Sequence, residues 1–219
     1  MKKNIYVLNP NSSQIVTDGI DKALAPLRIT GGPGIVCTTL TDGPAGIQSQ
    51  RDIDNLINPL RKQAQTLEPD AAAFVIACFS DPGLYSLRET LSVPVFGIAE
   101  SGVHTALTLG QKFGVLSILP GSIPRHLRYF AAMGVDSRLA ADLAIGMGVS
   151  ELTDHAKTMD KLVQVGRTLR DNHGADVVVL GCAGMAGMRI ELQQLLDIPV
   201  VEPTQATVAY AMGRALLGW

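Results

Sequence analysis

The two halves of the chain repeat one local pattern. Residues 74–83 read FVIACFSDPG and residues 177–187 read VVVLGCAGMAG. In both stretches a short apolar run ends at a lone cysteine, Cys78 or Cys182, and small or turn-forming residues follow at once. The later segments LSVPVFGIAE and LLDIPVVEPT also correspond, as do the earlier segments IYVLNPNSS and FGVLSILPGS. We therefore expect two similar halves, with the two cysteines at equivalent positions.

Short apolar runs alternate with longer amphipathic stretches, which is typical of βαβ units around a largely parallel sheet. The pattern predicts strands at residues 4–8, 34–39, 72–77, 95–98, 112–118, 177–180 and 199–201, with a weaker one near Val135. It predicts helices at residues 14–25, 48–66, 84–90, 101–109, 124–132, 153–173, 190–195 and 204–217. The predicted fold class is α/β, with two pseudo-symmetric Rossmann-like parallel-sheet domains. Residues 1–98 plus 203–219 would form the first domain and residues 99–202 the second.

Cys78 and Cys182 each lie at the end of a predicted strand. Ligands of open α/β sheets bind outside the carboxyl ends of the strands, so two facing halves would bring both cysteines to one cleft. Backbone N–H groups and the positive end of a helix stabilise a thiolate, so we expect a lowered thiol pKa there. Cys37 differs because its strand pattern continues without a break, and we interpret it as a small buried side chain.

Two matched thiols suit proton transfer on opposite faces of one carbon. One thiolate would remove a proton while the thiol on the far side donates one, which inverts the centre. Two facing thiolates would repel each other, so the pair is expected to hold a single proton. No histidine is repeated between the halves, and we interpret His104 and His126 as surface or packing residues.

Composition narrows the range of partners. The formal net charge is −2, the pI is near 6.1 and the basic residues are scattered, which gives no reason to expect nucleic acid or an anionic membrane. No apolar run approaches the ~18 residues of a membrane span, and the run at residues 5–8 is too short for a secretory signal. We expect a cytoplasmic protein with reduced cysteines and a small-molecule partner. No Cys/His spacing indicates a metal site.

Several segments together resemble a known family. NPNSS after the first strand, ACFSDPGLYSLRE around Cys78, PVFGIAES, and GCAGM around Cys182 are similar to the hydantoin and allantoin racemases of the aspartate/glutamate racemase superfamily. The resemblance covers nearly the whole chain. It implies an active site in the cleft between two α/β domains, no cofactor, no metal and a homo-oligomer. It also implies that Cys78 and Cys182 are the two acid/base groups.

The same resemblance implies a set of residues that line the ligand cleft: Asn9, Asn11, Phe79, Ser80, Ser117, Ala183 and Gly184. Backbone N–H groups after each cysteine would bind the carbonyl oxygens of a cyclic ureide and stabilise the enolate formed at its C5. Ring N–H groups would meet acceptors such as the side chains of Asn9 or Asn11.

The chain departs from the family pattern at two places. Residues 42–48 read DGPAGIQ where family members usually carry a GPxSIE type segment, and this bears on the substrate more than on the chemistry. The second cysteine is followed by Ala-Gly where the amino-acid racemases carry Thr-His, which argues against free aspartate or glutamate as the substrate.

These features predict a cofactor-independent racemase, an isomerase that inverts C5 of a 5-substituted hydantoin or of allantoin. One alternative is another enzyme of the superfamily, namely an amino-acid racemase, a decarboxylase or an isomerase. Decarboxylases of this type resemble the chain with one active cysteine, so two matched cysteines argue against that branch. A second alternative is a catalytically idle small-molecule binding protein that retains the cleft.

Overall fold

A computed structural model describes residues 3–218 of the chain. The eight strands found there are β1 Asn4–Asn9, β2 Gly34–Thr39, β3 Ala71–Ile76, β4 Val95–Gly97, β5 Phe113–Ser117, β6 Leu139–Ala144, β7 Val177–Leu180 and β8 Val200–Val201. The α-helices are α1 Gln14–Ala23, α2 Gln50–Leu67, α3 Leu84–Thr90, α4 Ile98–Ala106, α5 Ile123–Ala132, α6 His155–His173, α7 Arg189–Leu196 and α8 Pro203–Leu217. Strand and helix alternate without exception, so each half contains four consecutive βα units.

The strands form two four-stranded sheets with the same internal order. The first sheet runs β2-β1-β3-β4 and the second runs β6-β5-β7-β8, and every pairing between neighbours is parallel. Strands β3 and β7 therefore occupy equivalent places, each between the first and the last strand of its half. The prediction of an α/β fold with two similar parallel-sheet halves is confirmed.

The central strands carry almost unbroken apolar sequence because both faces of each sheet are covered. All four residues of β7 are buried, and so are five of the six residues of β3. One apolar cluster joins the two sheets: it contains Val7 and Val75 from the first sheet together with Val115 and Val179 from the second. The two halves thus share part of their hydrophobic core.

The last helix of each half packs on the opposite sheet. Helix α8 contacts β1 and β3 of the first sheet, α4 contacts β7 and β8 of the second sheet, and the two helices pack against each other. Each of these helices thus packs on the sheet of the other half, which is consistent with placing residues 203–219 in the first domain and residues 99–202 in the second. That division stays a prediction, and Trp219 itself lies outside the described residues.

The two longest helices, α2 and α6, are amphipathic and cover the sheets from outside. Helix α2 begins with a capping box, in which the Ser49 hydroxyl accepts from the Asp52 N–H and the Asp52 carboxylate accepts from the Ser49 N–H. Such reciprocal bonds satisfy two N–H groups that the first turn of a helix leaves free. Across residues 3–218, no helix combines the length and the apolar character that a membrane crossing requires.

The weaker strand predicted near Val135 is wrong. Val135 is followed by a 3₁₀ turn at Asp136–Arg138, and the strand of this region is β6. Its sequence LAADLA is rich in alanine and contains an aspartate, and both residue types are depleted in strands. Pairing with β5 along the sheet edge, which local sequence does not encode, decides its position.

Candidate active site

A cavity lies where β3 and β7 end, and both matched cysteines line it. Seven of the nine residues predicted to form the site line this one cavity: Asn11, Cys78, Phe79, Ser80, Cys182, Ala183 and Gly184. Each of the two thiols is half-buried. Asn9 and Ser117 lie elsewhere, and Cys37 lies within β2, where it packs against the core.

A tight turn holds Cys78 at the end of the first half's central strand. The Cys78 carbonyl accepts hydrogen bonds from the N–H groups of Ser80 and Asp81, at 2.8 and 3.0 Å. Asp81 adopts a left-handed backbone conformation with φ of 43°, which aspartate tolerates better than most residues. The turn also points the Asp81 carboxylate inward, where it is 5 % exposed.

The Asp81 carboxylate caps helix α4. It accepts hydrogen bonds from the N–H groups of Ala99 and Glu100 at 2.9 and 2.8 Å. A glycine at position 97 permits this contact, since an added Cβ would lie 2.2 Å from the carboxyl carbon. The turn that carries Cys78 is thereby fastened to the helix that crosses to the second sheet.

The second half holds Cys182 in a related way. A Cβ on Gly181 would lie 2.7 Å from the Leu116 carbonyl oxygen, so only glycine fits beside β5 at this point. The Gly184 N–H donates to the Cys182 sulfur at 3.4 Å, at the start of the 3₁₀ helix Ala183–Met188. Nearby, the buried Glu202 carboxylate accepts from the N–H groups of the first turn of α8, at 2.9 and 2.7 Å. A buried carboxylate therefore caps the crossing helix beside each cysteine.

Asn9 and Asn11 form one hydrogen-bonded turn after β1. Asn9 donates from Nδ2 to Asn11 Oδ1 and to the Thr17 hydroxyl, both at 3.0 Å. Asn9 Oδ1 accepts from the Asn11 N–H at 3.2 Å, and Asn11 Oδ1 also accepts from the Ser13 N–H at 2.9 Å. Asn11 lines the cavity, whereas Asn9 lies behind it as a support. Both side-chain oxygens are engaged within the protein.

Ser117 also lies behind the cavity wall. It is fully buried and donates to Asp142 Oδ1 at 2.5 Å. The other carboxylate oxygen of Asp142 lies 2.8 Å from Nδ1 of His126, and His126 lines the cavity. The interpretation of His126 as a surface or packing residue missed this place in the cavity. Its partner Asp142 lies in β6, the strand that the sequence misplaced, so no local signal indicated the pair.

Comparisons with known proteins show the family of the chain. The family model described as Asp/Glu/Hydantoin racemase matches residues 5–211. The chain belongs to the Asp/Glu/Hydantoin racemase family. Racemases are isomerases, so the predicted class of enzyme is confirmed together with the predicted family.

Individual members of the racemase family align over nearly the full chain. A hydantoin racemase of Paenarthrobacter aurescens is 33% identical over 221 residues, which span 98% of this chain and 92% of that protein. The allantoin racemase of Klebsiella pneumoniae superposes with a TM-score of 0.90 at 29% identity, covering 99% of this chain and 89% of that one. The allantoin racemase of Pseudomonas fluorescens gives a TM-score of 0.93 at 27% identity, covering 98% and 92%.

Burial dominates the electrostatics of both thiols in this member of the racemase family. It raises the pKa of Cys182 to about 11, and the nearby Glu202 charge adds to the rise while the Gly184 N–H opposes it. Burial also raises the pKa of Cys78 well above its usual range. The expectation of lowered thiol pKa values is wrong, because the backbone N–H groups do not offset the loss of water around each sulfur.

The two thiols also influence one another. After burial, the charge of Cys182 is the largest cause that raises the pKa of Cys78, followed by the charge of Asp81. The Ser80 N–H and the Arg125 guanidinium act in the opposite direction. Ionisation of Cys182 therefore opposes ionisation of Cys78. With both pKa values raised, both thiols are protonated near neutral pH in this structure, and the expectation that the pair holds a single proton stays a prediction.

Proposed function

We propose that the chain is a cofactor-independent racemase that inverts C5 of a 5-substituted hydantoin or of allantoin. The observation that carries this proposal is the placement of Cys78 and Cys182 in one cavity, at equivalent strand ends of two similar halves. Membership in the racemase family supports the reaction class. The names of the hydantoin and allantoin racemases that align with the chain support cyclic ureides as substrates.

The reaction would use the two sulfurs on opposite faces of the ring. A thiolate removes the C5 proton, and the C–H electron pair delocalises onto the adjacent carbonyl oxygen. The opposite thiol then donates its proton to the other face of C5, which restores the carbonyl and inverts the centre. The first sulfur ends as a thiol and the second as a thiolate, so the next turnover can run in the reverse direction without any other reactant.

Backbone N–H groups beside the cysteines would stabilise the enolate. Among the described residues, the N–H groups of Phe79 and Ala183 have no hydrogen-bond partner, and both residues line the cavity. Donors held in place before the reaction stabilise developing negative charge without reorganisation. The guanidinium of Arg125, also in the cavity wall, would contribute positive charge near Cys78.

The unusual segment at residues 42–48 would influence which C5 substituent is accepted. Ile47 of this segment lines the cavity. The Gln48 N–H donates to the Asp52 carboxylate at the start of α2, which fixes the end of the segment. A departure from the family pattern that reaches the cavity wall is expected to alter substrate preference while the two thiols keep their places.

The proposal is tested by chiral chromatography of single enantiomers of allantoin and of several 5-alkyl and 5-aryl hydantoins. Wild-type protein should racemise at least one of them without added metal or cofactor. Cys78→Ser and Cys182→Ser should each reduce racemisation by a factor of at least about 10², a typical size for one acid/base group. Cys37→Ser is the matched control, because this thiol lies in β2 outside the cavity, and it should keep nearly full activity.

Three outcomes would contradict the proposal. Racemisation that survives in both the Cys78→Ser and the Cys182→Ser variant would exclude the two-thiol mechanism. A wild-type protein that binds a cyclic ureide but never racemises it would favour the idle binding protein, and loss of carbon dioxide from an arylmalonate-type acid would favour a decarboxylase.

A further inference from the structure

We infer that His126 is a substrate-binding residue whose Nε2 accepts a hydrogen bond from an N–H group of the cyclic ureide, and that Asp142 and Ser117 are positioning residues for its ring. The inference rests on the proposed function and adds to it the residue that recognises a ureide N–H. It starts from the side-chain acceptors near the cavity. The amide oxygens first expected to serve this role, those of Asn9 and Asn11, already accept hydrogen bonds within the protein.

The imidazole of His126 is held at one nitrogen. Nδ1 lies 2.8 Å from Asp142 Oδ2, and all three residues of the group are buried, with exposed fractions of 3 % for His126, 7 % for Asp142 and 0 % for Ser117. A carboxylate only accepts hydrogen bonds, so Nδ1 carries the proton that lies between the two groups. The Ser117 hydroxyl donates to the other oxygen of Asp142 and thereby fixes the carboxylate.

Aromatic neighbours fix the plane of the imidazole. The centroid of the Phe79 ring lies 5.3 Å from the centroid of the imidazole, with an interplanar angle of 84°. The centroid of the Phe130 ring lies 6.1 Å from it. Phe79 directly follows Cys78, so the orientation of the histidine is tied to the turn that carries the first thiol. This ring cannot rotate without disturbing either the Asp142 contact or the packing of Phe79.

The remaining nitrogen, Nε2, is the free end of the imidazole. Among residues 3–218 it has no hydrogen-bond partner, and His126 lines the same cavity as both cysteines. The inference assigns the ring the tautomer with its proton on Nδ1, in which Nε2 is the acceptor. Other polar groups of the wall, the Phe79 and Ala183 N–H groups and the Arg125 guanidinium, are donors, and the Ser80 and Ser122 hydroxyls can donate or accept. Nε2 therefore complements a ligand that combines carbonyl groups with N–H groups.

The experiment compares two substitutions that divide the imidazole between its nitrogens. Asparagine places an amide near the Nδ1 position, so His126→Asn retains a donor for Asp142 and loses the acceptor at Nε2. Glutamine reaches the Nε2 position, so His126→Gln retains an acceptor there and loses the Asp142 contact. If His126 recognises the substrate, His126→Asn should raise KM about tenfold, which corresponds to the loss of one hydrogen bond, and should change kcat less. His126→Gln should retain more of the affinity for the substrate. A merely structural histidine would give the reverse order.

N-methylated hydantoins identify the bond itself. Methylation of one ring nitrogen, N1 or N3, should raise KM for the wild type because it removes the N–H donor. The same methylation should have little further effect on His126→Asn, since that variant has already lost the acceptor. Asp142→Asn and Ser117→Ala should each raise KM and reduce the fraction of His126 with its proton on Nδ1, as measured by ¹⁵N NMR. Ser117→Thr keeps the hydroxyl, so it should change KM and this fraction less than Ser117→Ala does.

The outcomes separate this inference from the proposed function. If the wild type racemises a hydantoin but the methylation penalty is equal in the wild type and in His126→Asn, the inference is overturned and the racemase proposal stands. An unchanged KM in His126→Asn would overturn it equally. If the wild type racemises no cyclic ureide, the proposed function falls and takes this inference with it.

Discussion

The hydroxyl of Tyr129 donates a hydrogen bond of 2.9 Å to the carboxylate of Asp81. Tyr129 belongs to α5 of the second half, whereas Asp81 follows Cys78 by three residues in the first half. The same carboxylate caps α4. One buried group thus connects the turn of the first thiol, the crossing helix and the opposite half of the molecule.

Tyr129→Phe tests this connection. The substitution removes only the hydroxyl, so the free energy of unfolding in urea should fall by about 1 kcal/mol, the usual net contribution of a hydrogen bond. Tyr85→Phe is the matched control because Tyr85 is 61 % exposed, and it should change stability by less than about 0.5 kcal/mol. Equal effects of the two substitutions would contradict a structural role for the Tyr129 hydroxyl.

Gly97→Ala tests the close approach of Asp81 to the start of α4. The new methyl group would lie 2.2 Å from the carboxyl carbon, so the Asp81 carboxylate must shift away from the two N–H groups that it caps. We expect a loss of about 2–4 kcal/mol in stability, because buried donors lose their partners. Gly19→Ala in α1 meets no atom within 4 Å and should be neutral or stabilising by up to about 1 kcal/mol. A fully stable Gly97→Ala protein would contradict the assigned contact.

The two buried helix caps predict how stability depends on pH. Burial raises the pKa of Asp81 and of Glu202 to about 7. Between about pH 4 and about pH 7, the folded protein therefore keeps these two protons, whereas the unfolded chain, with carboxyl pKa values of about 4, has lost them. Their stabilising effect is fully present below about pH 4, and the free energy of unfolding should fall as the pH rises towards about 7.

Urea unfolding at about pH 5 and about pH 7.5 measures this slope. Asp81→Asn and Glu202→Gln replace each acid by a neutral amide, so each variant should show a smaller pH dependence than the wild type. Slopes that match the wild type in both variants would mean that these carboxyl groups are ionised in the folded state across the range.

The thiols predict a second pH dependence. Burial raises the pKa of Cys182 to about 11, and thiolates are the species that react with iodoacetamide. Alkylation of the ligand-free protein should therefore accelerate about tenfold per pH unit between about pH 7 and about pH 9. Peptide mapping by mass spectrometry would follow Cys78 and Cys182 separately, and a bound cyclic ureide should protect both. A rate that levels off below about pH 8 would instead indicate the lowered pKa expected from strand-end position alone.

Local sequence was enough to predict most elements and the placement of both thiols, because apolar runs, turn residues and an internal repeat are all local signals. It failed where distant residues decide the outcome. Helix α4 begins at Ile98 rather than at residue 101, since its cap comes from Asp81, which is distant in sequence. Strand β6 was misplaced because pairing with β5 overrides its alanine-rich sequence.

The candidate site shows the same limit. Cys78 and Cys182 were found from a repeated motif, but the contact of His126 with Asp142 joins residues 16 positions apart on a helix and on the misplaced strand. Ser117 and Asn9 were expected to line the cleft, and the structure places them behind residues that do, His126 and Asn11 respectively. Position at a strand end predicts proximity to a site, whereas burial decides whether a side chain reaches the ligand.

The most direct test of the central claim is C5 hydrogen–deuterium exchange in D₂O, followed by NMR on each enantiomer of an accepted hydantoin. In the two-thiol mechanism each sulfur serves one face of the ring. Cys78→Ser should therefore exchange the C5 proton of one enantiomer only, with retention of configuration, and Cys182→Ser should exchange that of the opposite enantiomer only. Exchange of the same enantiomer by both variants, or of both enantiomers by either one, would contradict the assignment of Cys78 and Cys182 to opposite faces.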